Sequence, residues 1–422
     1  MSQMAETLNL SNEMASRLPQ QLVALMQSAG AMADYQGQRL YLVGGVVRDL
    51  ILGRTNLDLD LVVEGDALSL APQLASITQG KLTTHPRFGT AKLRWNEWSI
   101  DITTARSEVY DRPGALPRVK PGSLADDLFR RDFTINTLAI RLNPGRYGEL
   151  VDLYGGRDDL DQGLIRVLHQ KSFVDDATRI WRALRYEQRL GFRLEPVTLE
   201  LLQRDIPLLD TISSERIRHE LELILKEERP EKVLARAGEL GVLAKLHPQL
   251  KGDGWLAQRF EQARKMGASA EVTLGLYLAL LTYPLSHSQV EQFVSYLRLP
   301  RSLSQVLEDT HNLKTKLRVL ANPRLRPSTV YSLLSSYSPA AITTVLLASD
   351  SPAVRHHIHL FLHKLRYIRP ALRGDDLKRL GVVPGPQMRE VLSRLHQARL
   401  DGQVASRRGE EELVRQWLRR QA

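Results

Sequence analysis

The sequence predicts an α+β protein in which a strand-rich N-terminal domain precedes a remainder built of helices. Between Arg39 and Arg141, apolar residues form short runs or alternate with polar ones, as they do in β-strands. From Asp175 onward they recur at helical spacing almost to the C-terminus, with breaks at glycines and prolines. The chain has 422 residues, 43% of them hydrophobic, which is more than one small core requires, so we expect two to four domains.

The N-terminal domain is predicted to open with an amphipathic helix around Leu18–Met26. A further helix, Val46–Leu52, is entered through a Gly-Gly pair and ended by Gly53. The N-terminus has no basic region and no long apolar run, so we expect no signal peptide. The segments with the pattern of strands are Arg39–Val43, Leu57–Val63, Ala91–Trp95 and Trp98–Thr104.

The net charge of +10 is distributed unevenly along the chain. Residues 291–422 hold 22 of the 58 Lys and Arg but only 11 of the 48 Asp and Glu, so the basic excess lies entirely in this last third. A surface of this kind suits a polyanion such as a nucleic acid and gives salt-dependent binding. A set of solvated helix faces is the alternative interpretation.

Cysteine is absent from the chain. This excludes disulfide frameworks, thiolate metal sites and cysteine nucleophiles, and it agrees with a reducing, cytoplasmic location. No stretch approaches eighteen consecutive apolar residues, so we predict no membrane span.

The first motif with chemical potential is a glycine turn between a strand and a helix. Gly44 and Gly45 follow the first predicted strand, and Arg48 lies one turn into the helix. Glycine allows backbone N–H groups to approach a phosphate closely, and a helix N-terminus favours negative charge. Arg48 can add a charge-assisted contact. The alternative interpretation is an ordinary turn without a ligand, which can contain the same two glycines.

Two carboxylates follow this turn closely. Asp58 and Asp60 alternate with leucines, so both are predicted to face the same side of one strand. Neighbouring carboxylates repel unless a cation holds them, and Mg²⁺ prefers such oxygen ligands. Two metal ions there could activate a hydroxyl and stabilise a departing pyrophosphate. A solvated strand face is the alternative, and Asp101 is either a third acidic group of this site or a hydrogen-bonded strand residue.

A second motif runs from Arg130 through Arg131 and Asp132 to Asn136. Arginines beside an acidic site suit the negative charge of a nucleoside triphosphate. The same residues could form an ion-pair cluster on a helix surface, with Asn136 only capping or cross-linking backbone.

A third motif lies on a predicted helix that begins near Asp175. Asp176, Arg179, Arg182 and Arg185 fall at steps of three and form one polar stripe. A carboxylate accepts from the exocyclic amine of cytosine or adenine, and an arginine donates to ring nitrogens or carbonyls. Such a pair would select C and A without a nucleic-acid template. A surface salt bridge between residues three apart is the alternative.

Two further segments are less specific. The connection Arg106–Leu128 is too long for a tight hairpin and too rich in Pro and Gly for a continuous helix, so it is either a mobile element near the site or a surface excursion. His356, His357, His359 and His363 include an i,i+4 pair, but no acidic residue has a matching position as third metal ligand.

Taken together, the motifs resemble those of the class II tRNA nucleotidyltransferases (CCA-adding enzymes) and bacterial poly(A) polymerases. The resemblance covers nearly the whole chain. The matching segments are YLVGGVVRD, LDLDLVV, DLFRRDFTINTLA, LVDLYGGRDDL, DDATRIWRALRYEQRLGF, SSERIRHELELIL and GDDLKRLGVVPGPQMREVLSRLHQARLDG. It implies a polymerase-β-type nucleotidyltransferase head with a small mixed sheet (1–150), then a helical neck (151–245), body (246–325) and tail (326–422).

The resemblance also implies roles for the motif residues. Two Mg²⁺ ions would lie on Asp58 and Asp60, and Gly45, Arg48 and Arg131 would bind the triphosphate while Gly44 shapes the turn. Asp176 and Arg179 would select CTP or ATP, with Arg182 and Arg185 supporting triphosphate and base. The partner would be the acceptor arm of tRNA, held by the neck, body and tail.

Two departures from the family pattern bear on the product. The template motif usually begins Glu-Asp and here reads Asp175-Asp176. The loop carries PGALP where many CCA-adding members have an Arg-Arg-Pro stretch, and that loop is associated with the switch from C to A addition. A CC-adding enzyme, an A-adding enzyme and a poly(A) polymerase therefore stay open beside a full CCA-adding enzyme, as does an RNA-binding protein without catalysis.

Overall fold

The structure, a computed structural model, describes residues 8–115, 117–267 and 270–420, and only the backbone of residues 270–273. Residues 1–7, on which the expectation about a signal peptide partly rests, and Leu116 of the predicted loop lie outside the described residues. The chain folds into two compact units. The first runs to Leu221 and includes Glu239–Lys245, and the second comprises Glu222–Gly238 and the chain from Leu246 onward.

All strands in the described residues lie in the first unit. They are β1 (Arg39–Val43), β2 (Leu59–Glu64), β3 (Lys81–His85), β4 (Thr90–Trp95), β5 (Trp98–Thr104), β6 (Arg106–Val109), β7 (Arg118–Pro121), β8 (Ala139–Arg141), β9 (Leu150–Val151), β10 (Leu164–Ile165) and β11 (Arg193–Leu194). Seven of them form one mixed sheet in the order β3-β4-β5-β2-β1-β8-β9. The other four form two two-stranded sheets, β6 with β7 and β10 with β11.

The register of the central strands brings the predicted motifs to one end of the sheet. β1 and β2 are antiparallel and place Val43 opposite Asp60, while β2 and β5 are parallel and place Asp60 beside Asp101. The glycine turn follows Val43 directly. Leu59, Leu61 and Val63 are buried on the other face of β2, as strict alternation requires.

Helices make up most of the remainder. In the first unit they are α1 (Ser11–Arg17), α2 (Gln20–Tyr35), α3 (Gly45–Ile51), α4 (Ala67–Thr78), α5 (Leu124–Phe129), α6 (Gly156–Gln162), α7 (Ser172–Asp175), α8 (Thr178–Leu190) and α9 (Pro196–Asp205). Helix α10 (Ser214–Leu225) runs across the division between the units. Short 3₁₀ turns include Pro86–Phe88, Thr134–Asn136 and Ile206–Thr211.

The second unit is helical throughout its described residues. Its helices are α11 (Pro230–Glu239, of which the last residue belongs to the first unit), α12 (Gly254–Lys265), α13 (Ala270–Thr282), α14 (His287–Leu297), α15 (Arg301–Thr315), α16 (Leu317–Leu320), α17 (Pro327–Leu334), α18 (Pro339–Ala348), α19 (Pro352–His363), α20 (Gly374–Arg379), α21 (Pro386–Leu400) and α22 (Arg407–Arg419).

The predicted α+β fold, a mixed-sheet head followed by helices, is confirmed. The division into four domains stays a prediction. One detail that the sequence did not indicate is the parallel pair β10–β11, which lies within the predicted helical neck.

One predicted element differs from the structure. The helix expected around Leu18–Met26 begins at Gln20, because Pro19 separates it from α1 and cannot continue a helix from the preceding turn. The connection Arg106–Leu128, expected to be neither a tight hairpin nor a continuous helix, contains the β6–β7 ribbon followed by α5, whose N-terminus has a capping box formed by Ser123 and Asp126. Near the tip of the ribbon, Gly114 has φ +75°, and a Cβ there would lie 2.4 Å from the Thr211 carbonyl oxygen.

In the described part of the chain, no single helix has both the length and the apolar character needed to cross a membrane. Helices α17 and α18 are sharply bent relative to each other, and they have that length and apolar character only when the two are counted together. Both helices contribute buried residues, such as Val330 and Val345, to an apolar core of the second unit. His357 of α19 is buried next to this core, and its Nδ1 lies 2.9 Å from the carbonyl oxygen of Leu320.

Candidate active site

Gly44 lies at the centre of the candidate site. Its φ of +81° is a conformation that favours glycine. A Cβ at this position would lie 2.9 Å from Nη1 of Arg131 and 3.3 Å from Oδ2 of Asp60. The turn therefore brings the second and first motifs together, and only a residue without a side chain fits between the guanidinium and the carboxylate.

The carboxylates of Asp58 and Asp60 lie beside this turn. Burial and the nearby charges of Asp58 and Asp101 raise the pKa of Asp60 to about 6, against the opposing effect of Arg131 and Lys92. Within the described residues, neither Asp58 nor Asp60 has an ion-pair partner for its carboxylate. Asp101 does have one, since Lys92 Nζ lies 3.0 Å from its Oδ2.

These properties fit a bound divalent cation. Two adjacent carboxylates without a cationic partner, one of them partly buried, are destabilised by mutual repulsion and are suited to Mg²⁺. Among the described residues no cluster of three or more His, Cys, Asp or Glu side chains has a metal-binding arrangement. Asp58 and Asp60 would therefore supply the protein ligands as a pair.

Arg48 is buried directly beneath the turn. Its guanidinium donates to both oxygens of Asp49 at 2.9 Å and to Oδ1 of Asn136 at 2.7 Å. Asp49 also accepts from Asn56, whose side-chain oxygen accepts from the backbone N–H of Asp58 at 2.9 Å. A continuous chain of hydrogen bonds thus connects Arg48 with the loop that carries the first carboxylate.

Arg130 and Arg131 are both held by the fully buried carboxylate of Asp127. Arg130 donates to Oδ1 at 2.8 Å and Arg131 to Oδ2 at 3.2 Å. Arg130 also donates to Glu108 of the β6–β7 ribbon at 3.2 Å. The Nε of Arg131 is buried without a hydrogen-bond partner among the described residues, so this side chain retains an unused donor beside Gly44.

The predicted polar stripe is on α8 only from Arg179 onward, because Asp176 lies between α7 and α8 in an extended conformation. Asp176 accepts from Thr178 through Oδ1 and from Arg216 through Oδ2, the latter at 2.6 Å. Arg179 is nearly fully buried and does not pair with Asp176. It donates instead to Ser172 Oγ at 2.6 Å and to the carbonyl oxygen of Arg130 at 2.7 Å. The last contact joins α8 to the second motif.

Arg182 makes a second connection between these motifs. It donates from Nε at 2.8 Å and from Nη2 at 2.5 Å to Oδ2 of Asp132, whose other oxygen accepts from Asn136 at 2.9 Å. Although burial opposes ionisation, the charge of Arg182 and these hydrogen bonds lower the pKa of Asp132 to about 2. Asn136 thus cross-links two side chains, Arg48 and Asp132, which goes beyond the backbone role that was its alternative interpretation.

The ring of Tyr186 lies among three arginines. The guanidinium carbons of Arg48, Arg182 and Arg185 lie 5.3, 5.8 and 5.0 Å from its centroid. Such cation–π contacts reduce the repulsion among clustered cations. Arg185 also lies 4.0 Å from Glu220 of α10.

A cavity of about 420 Å³ lies beside Arg179, between the β6–β7 ribbon and the start of α8. Phe129 and His169 stack in its wall with ring centroids 5.1 Å apart, and Asp175 lies 3.7 Å from His169 Nε2. Tyr110 of the ribbon also lines it, and burial raises the pKa of this phenol. Asp175, which replaces the family's usual glutamate, is thus beside His169 in the cavity wall.

Comparison with known proteins decides the family. Residues 40–166 match the family described as Poly A polymerase head domain, and residues 191–253 match Probable RNA and SrmB- binding site of polymerase A. An A-adding tRNA nucleotidyltransferase of Halalkalibacterium halodurans is 32% identical over 97% of this chain and 96% of its own length. The chain belongs to the tRNA nucleotidyltransferase and poly(A) polymerase family.

Other members of the family are similar to the chain over much of its length. An A-adding tRNA nucleotidyltransferase of Geobacter sulfurreducens is 37% identical over 93% of the chain, which spans about half (47%) of that relative. The solved Thermotoga maritima CCA-adding enzyme complexed with tRNA_CCA has a TM-score of 0.80 at 31% identity, covering 98% of this chain and 100% of its own. Complexes of a CCA-adding enzyme with ATP and with CTP each have a TM-score of 0.81, at 31% and 32% identity. They cover 99% and 98% of this chain and 100% of their own.

The fold gathers the sequence-predicted residues of this family into two connected groups. Gly44, Gly45, Asp58, Asp60 and Arg131 meet at one end of the sheet. The second group lies just before and along α8 and is joined to the first through the segment 130–136. It contains Asp176, which precedes the helix, and Arg179, Arg182 and Arg185 on it, with Arg48 between the two groups against Tyr186.

Sequence reasoning missed three side chains of this site. Tyr186 follows Arg185 directly, and Arg216 and Glu220 lie four residues apart in the segment SSERIRHELELIL. The aromatic residue within an arginine-rich helix was the available signal for Tyr186. For Arg216, whose partner Asp176 lies 40 residues away, no local pattern was available.

Proposed function

We propose that this chain is a tRNA nucleotidyltransferase that adds C and A from CTP and ATP to the tRNA 3′ end without a nucleic-acid template. The observation that carries the proposal is the meeting of Asp58, Asp60 and Arg131 at the Gly44 turn. The similarity to CCA-adding enzymes complexed with tRNA, ATP and CTP supports it.

In the proposed reaction, the tRNA 3′-hydroxyl attacks the α-phosphate of the bound nucleotide. A bond forms between the 3′ oxygen and the α-phosphorus, and the bond to the β-phosphate oxygen breaks, releasing pyrophosphate. Asp58 and Asp60 would hold two Mg²⁺ ions, which when bound supply activation of the hydroxyl and charge for the leaving group. No covalent intermediate with the protein is needed.

The triphosphate is held by the glycine turn and its arginines. The backbone of Gly44 and Gly45 can approach phosphate oxygens closely, because neither residue has a side chain. Arg131 offers its guanidinium beside Gly44, including the unpaired Nε. Arg48, whose charge is paired with Asp49, lies below Gly45, where a Cβ would lie 3.5 Å from its Nη2, and supports the phosphate-binding turn from beneath.

Base selection is assigned to Asp176 and Arg179. A carboxylate accepts the exocyclic amine that C and A carry and U and G lack at that position, while the guanidinium donates to the ring. The cavity next to Arg179 leaves room for a base, and Arg216 holds Asp176 in place. Arg182 positions the helix through its ion pair with Asp132. Arg185 does so through Glu220 and the ring of Tyr186.

The tRNA would be bound by the helical remainder. Its last third carries the whole basic excess of the chain, which suits the phosphates of an acceptor arm. The predicted neck (151–245), body (246–325) and tail (326–422) are the regions we assign to this contact. A tRNA substrate also agrees with the cytoplasmic location expected from the sequence.

A second candidate is an enzyme that adds only the terminal A. The relatives that are 37% and 32% identical to the chain are both named A-adding tRNA nucleotidyltransferases. The substituted PGALP loop, in which CCA-adding members carry a different sequence, points the same way. The two candidates share every residue assignment above and differ in the acceptors they extend.

One experiment tests the proposal and separates the candidates. Purified protein is given tRNA ending before CCA, after C or after CC, with CTP, ATP or both, and products are resolved to one nucleotide. Completion of all three acceptors identifies a CCA-adding enzyme, and action on the CC-ending acceptor alone an A-adding one. Stopping after CC identifies a CC-adding enzyme, and long A tracts on unrelated RNA a poly(A) polymerase. No pyrophosphate release with any RNA would contradict catalysis altogether.

A further inference from the structure

A basic pocket lies in the first unit, at the opposite end of β2 from the carboxylates. It encloses about 360 Å³ and is bounded by the 3₁₀ turn Pro86–Phe88, the start of α4 and the β6–β7 ribbon. Gly65, which follows β2 directly, lines it. Gly65 lies five positions after Asp60, a distance of about 16 Å along an extended strand, so the pocket is separate from the candidate active site.

The pocket has an aromatic platform with a cation above it. Phe88 is 49% exposed, so about half of its side chain is accessible to a ligand. The guanidinium carbon of Arg87 lies 5.7 Å from the centroid of the Phe88 ring. An exposed aromatic face with adjacent arginine is the arrangement on which unpaired bases stack in proteins that bind single-stranded nucleic acids.

Positive charge dominates the rim of the pocket. Arg87, Arg106 and Lys120 line it together with a single acid, Asp66, whose carboxylate caps α4 by accepting from the Leu68 N–H at 2.9 Å. Within the described residues Arg87 and Lys120 form no ion pair. The Nε of Arg106 is buried there without a hydrogen-bond partner among the described residues. Arg106 is paired with Glu108, so the uncompensated charges at the rim are those of Arg87 and Lys120.

The floor of the pocket is fixed by backbone hydrogen bonds. The Thr104 N–H donates to the carbonyl oxygen of Gly89 at 2.9 Å, and the Thr104 hydroxyl accepts from the Ala67 N–H at 3.0 Å. Arg106 is held by Glu108 at 3.2 Å. A preformed pocket loses little conformational entropy when a ligand binds.

We propose that this pocket binds one nucleotide of the RNA substrate, with its base stacked on Phe88 and the flanking phosphates near Arg87 and Lys120. The volume lies at the low end of the range of about 300–1,000 Å³ for ligand pockets, which suits a single nucleoside. The two rim cations come from separate segments, so they match phosphates spaced along a strand better than a compact triphosphate. The inference rests on the proposed function, because that function supplies the RNA.

Steady-state kinetics with CC-ending tRNA and ATP test the pocket. Phe88→Ala should raise KM for the tRNA about tenfold, as expected for the loss of one stacked base, while kcat and KM for ATP stay unchanged. Phe88→Trp, which keeps an aromatic ring at this position, should leave KM for the tRNA close to that of wild type. The double variant Arg87→Ala/Lys120→Ala should lower the slope of log affinity against log salt by about 1.5, since each phosphate contact contributes roughly 0.7–0.9.

Matched controls lie elsewhere on the same domain. Ile77→Ala removes an apolar side chain of α4 that is 51% exposed, and Lys81→Ala removes an exposed cation of β3. Both should leave the tRNA KM and the salt slope unchanged. Ultraviolet crosslinking of bound tRNA should place an adduct on the peptide that contains Phe88.

An unchanged tRNA KM and salt slope in the pocket variants would overturn the inference. A rise in KM for ATP alone would also overturn it, because the occupant would then be a free nucleotide. If the wild-type protein extends no tRNA, the proposed function fails. Direct filter binding of tRNA to wild type and variants still tests the pocket in that case.

Discussion

Arg182 of α8 donates two hydrogen bonds to Asp132, which lies 50 residues earlier in the chain. The pair connects the helix proposed to select the base with the segment that holds Arg131 beside the glycine turn. Asp132 is buried and its pKa lies near 2. The ion pair is therefore maintained at any pH at which the protein would operate. It holds α8 in place against the segment that carries Arg131.

Asp132→Asn should destabilise the first unit. Removing the carboxylate leaves the Arg182 guanidinium with only the longer 3.9 Å contact to Glu220, so the cost should lie at or just below the low end of the range for breaking a buried pair, about 3 kcal/mol of unfolding free energy. Urea unfolding at pH 7 measures this. The control is Asp161→Asn, which breaks the exposed Arg157–Asp161 pair at 3.0 Å and should cost less than about 1 kcal/mol.

The same pair predicts a pH dependence of stability. The pKa of Asp132 falls from an ordinary value of 3.8 to about 2 in the folded protein, so its contribution is present above pH 4 and disappears as the pH falls toward 2. The shift corresponds to about 2 kcal/mol. The difference in unfolding free energy between wild type and Asp132→Asn should therefore narrow over this range. A difference that stays constant between pH 5 and 2 would contradict the assignment.

Asp60→Asn should stabilise the metal-free protein while abolishing nucleotide addition. The Asp60 carboxylate is partly buried next to Asp58 without an ion-pair partner among the described residues, and its pKa is raised to about 6. Removing this charge should raise the unfolding free energy by roughly 1–3 kcal/mol, which corresponds to a rise of a few degrees in the thermal unfolding midpoint.

The control for this variant is Asp101→Asn. Asp101 lies beside Asp60 on β5 but is paired with Lys92, so its loss should give no such gain. Thermal unfolding with and without Mg²⁺ provides the measurement. Mg²⁺ should raise the midpoint of wild type and leave that of Asp60→Asn unchanged; an equal response of both proteins to Mg²⁺ would argue against a metal site at Asp60.

Arg216→Ala should weaken base selection. Arg216 holds Asp176 through a 2.6 Å hydrogen bond, and without it the carboxylate loses one of the partners that fix its orientation. We expect incorporation of U and G relative to A to increase about tenfold on CC-ending tRNA, a change of about 1.4 kcal/mol in discrimination. Competition assays with mixed nucleotides measure it.

Arg204→Ala is the matched control for base selection. Arg204 also pairs with an aspartate, Asp205 at 2.7 Å, but on α9, and its loss should leave selection unchanged. If Arg216→Ala selected nucleotides as wild type does, Asp176 would not need Arg216 for its role.

Tyr186→Leu should destabilise the site and raise KM for the nucleotide. The Tyr186 ring lies 5.0–5.8 Å from three guanidinium carbons, and a leucine cannot attract these cations. We expect a loss of about 1–3 kcal/mol in unfolding free energy. Tyr186→Phe keeps the ring and should retain most of both properties. Tyr35→Leu, at a position that is 94% exposed, is the control for the general effect of removing a tyrosine.

The sequence predicted those parts of the fold that depend on local patterns. The strands Arg39–Val43 and Trp98–Thr104 have the predicted bounds, and the Gly-Gly turn lies where the pattern placed it. Strand β3 was missed because its side chains are polar or exposed and show no apolar alternation. The β6–β7 ribbon was missed because its two strands have only four residues each, show no apolar alternation and adjoin prolines.

The candidate site was predicted in its residues but not in its connections. Asp58, Asp60, Arg131 and the stripe of α8 were all identified from motif spacing. Their partners were not: Asp176, which lies just before α8, pairs with Arg216 of α10, and Arg179 donates to the backbone of Arg130. Such contacts depend on how distant segments pack, which residue spacing does not encode. The four-domain division, like the roles of the site residues, stays a prediction.

The most direct test of the central claim is nucleotide incorporation by Asp58→Ala and Asp60→Ala on CC-ending tRNA with ATP, with tRNA affinity measured on the same preparations. The two carboxylates beside Gly44 are proposed to hold the metal ions of the reaction and to have no part in RNA binding. We therefore expect incorporation to fall at least a thousandfold in both variants, about 4 kcal/mol or more in activation free energy, while tRNA affinity changes less than about twofold. Incorporation close to that of wild type in either variant would contradict the assignment of the active site.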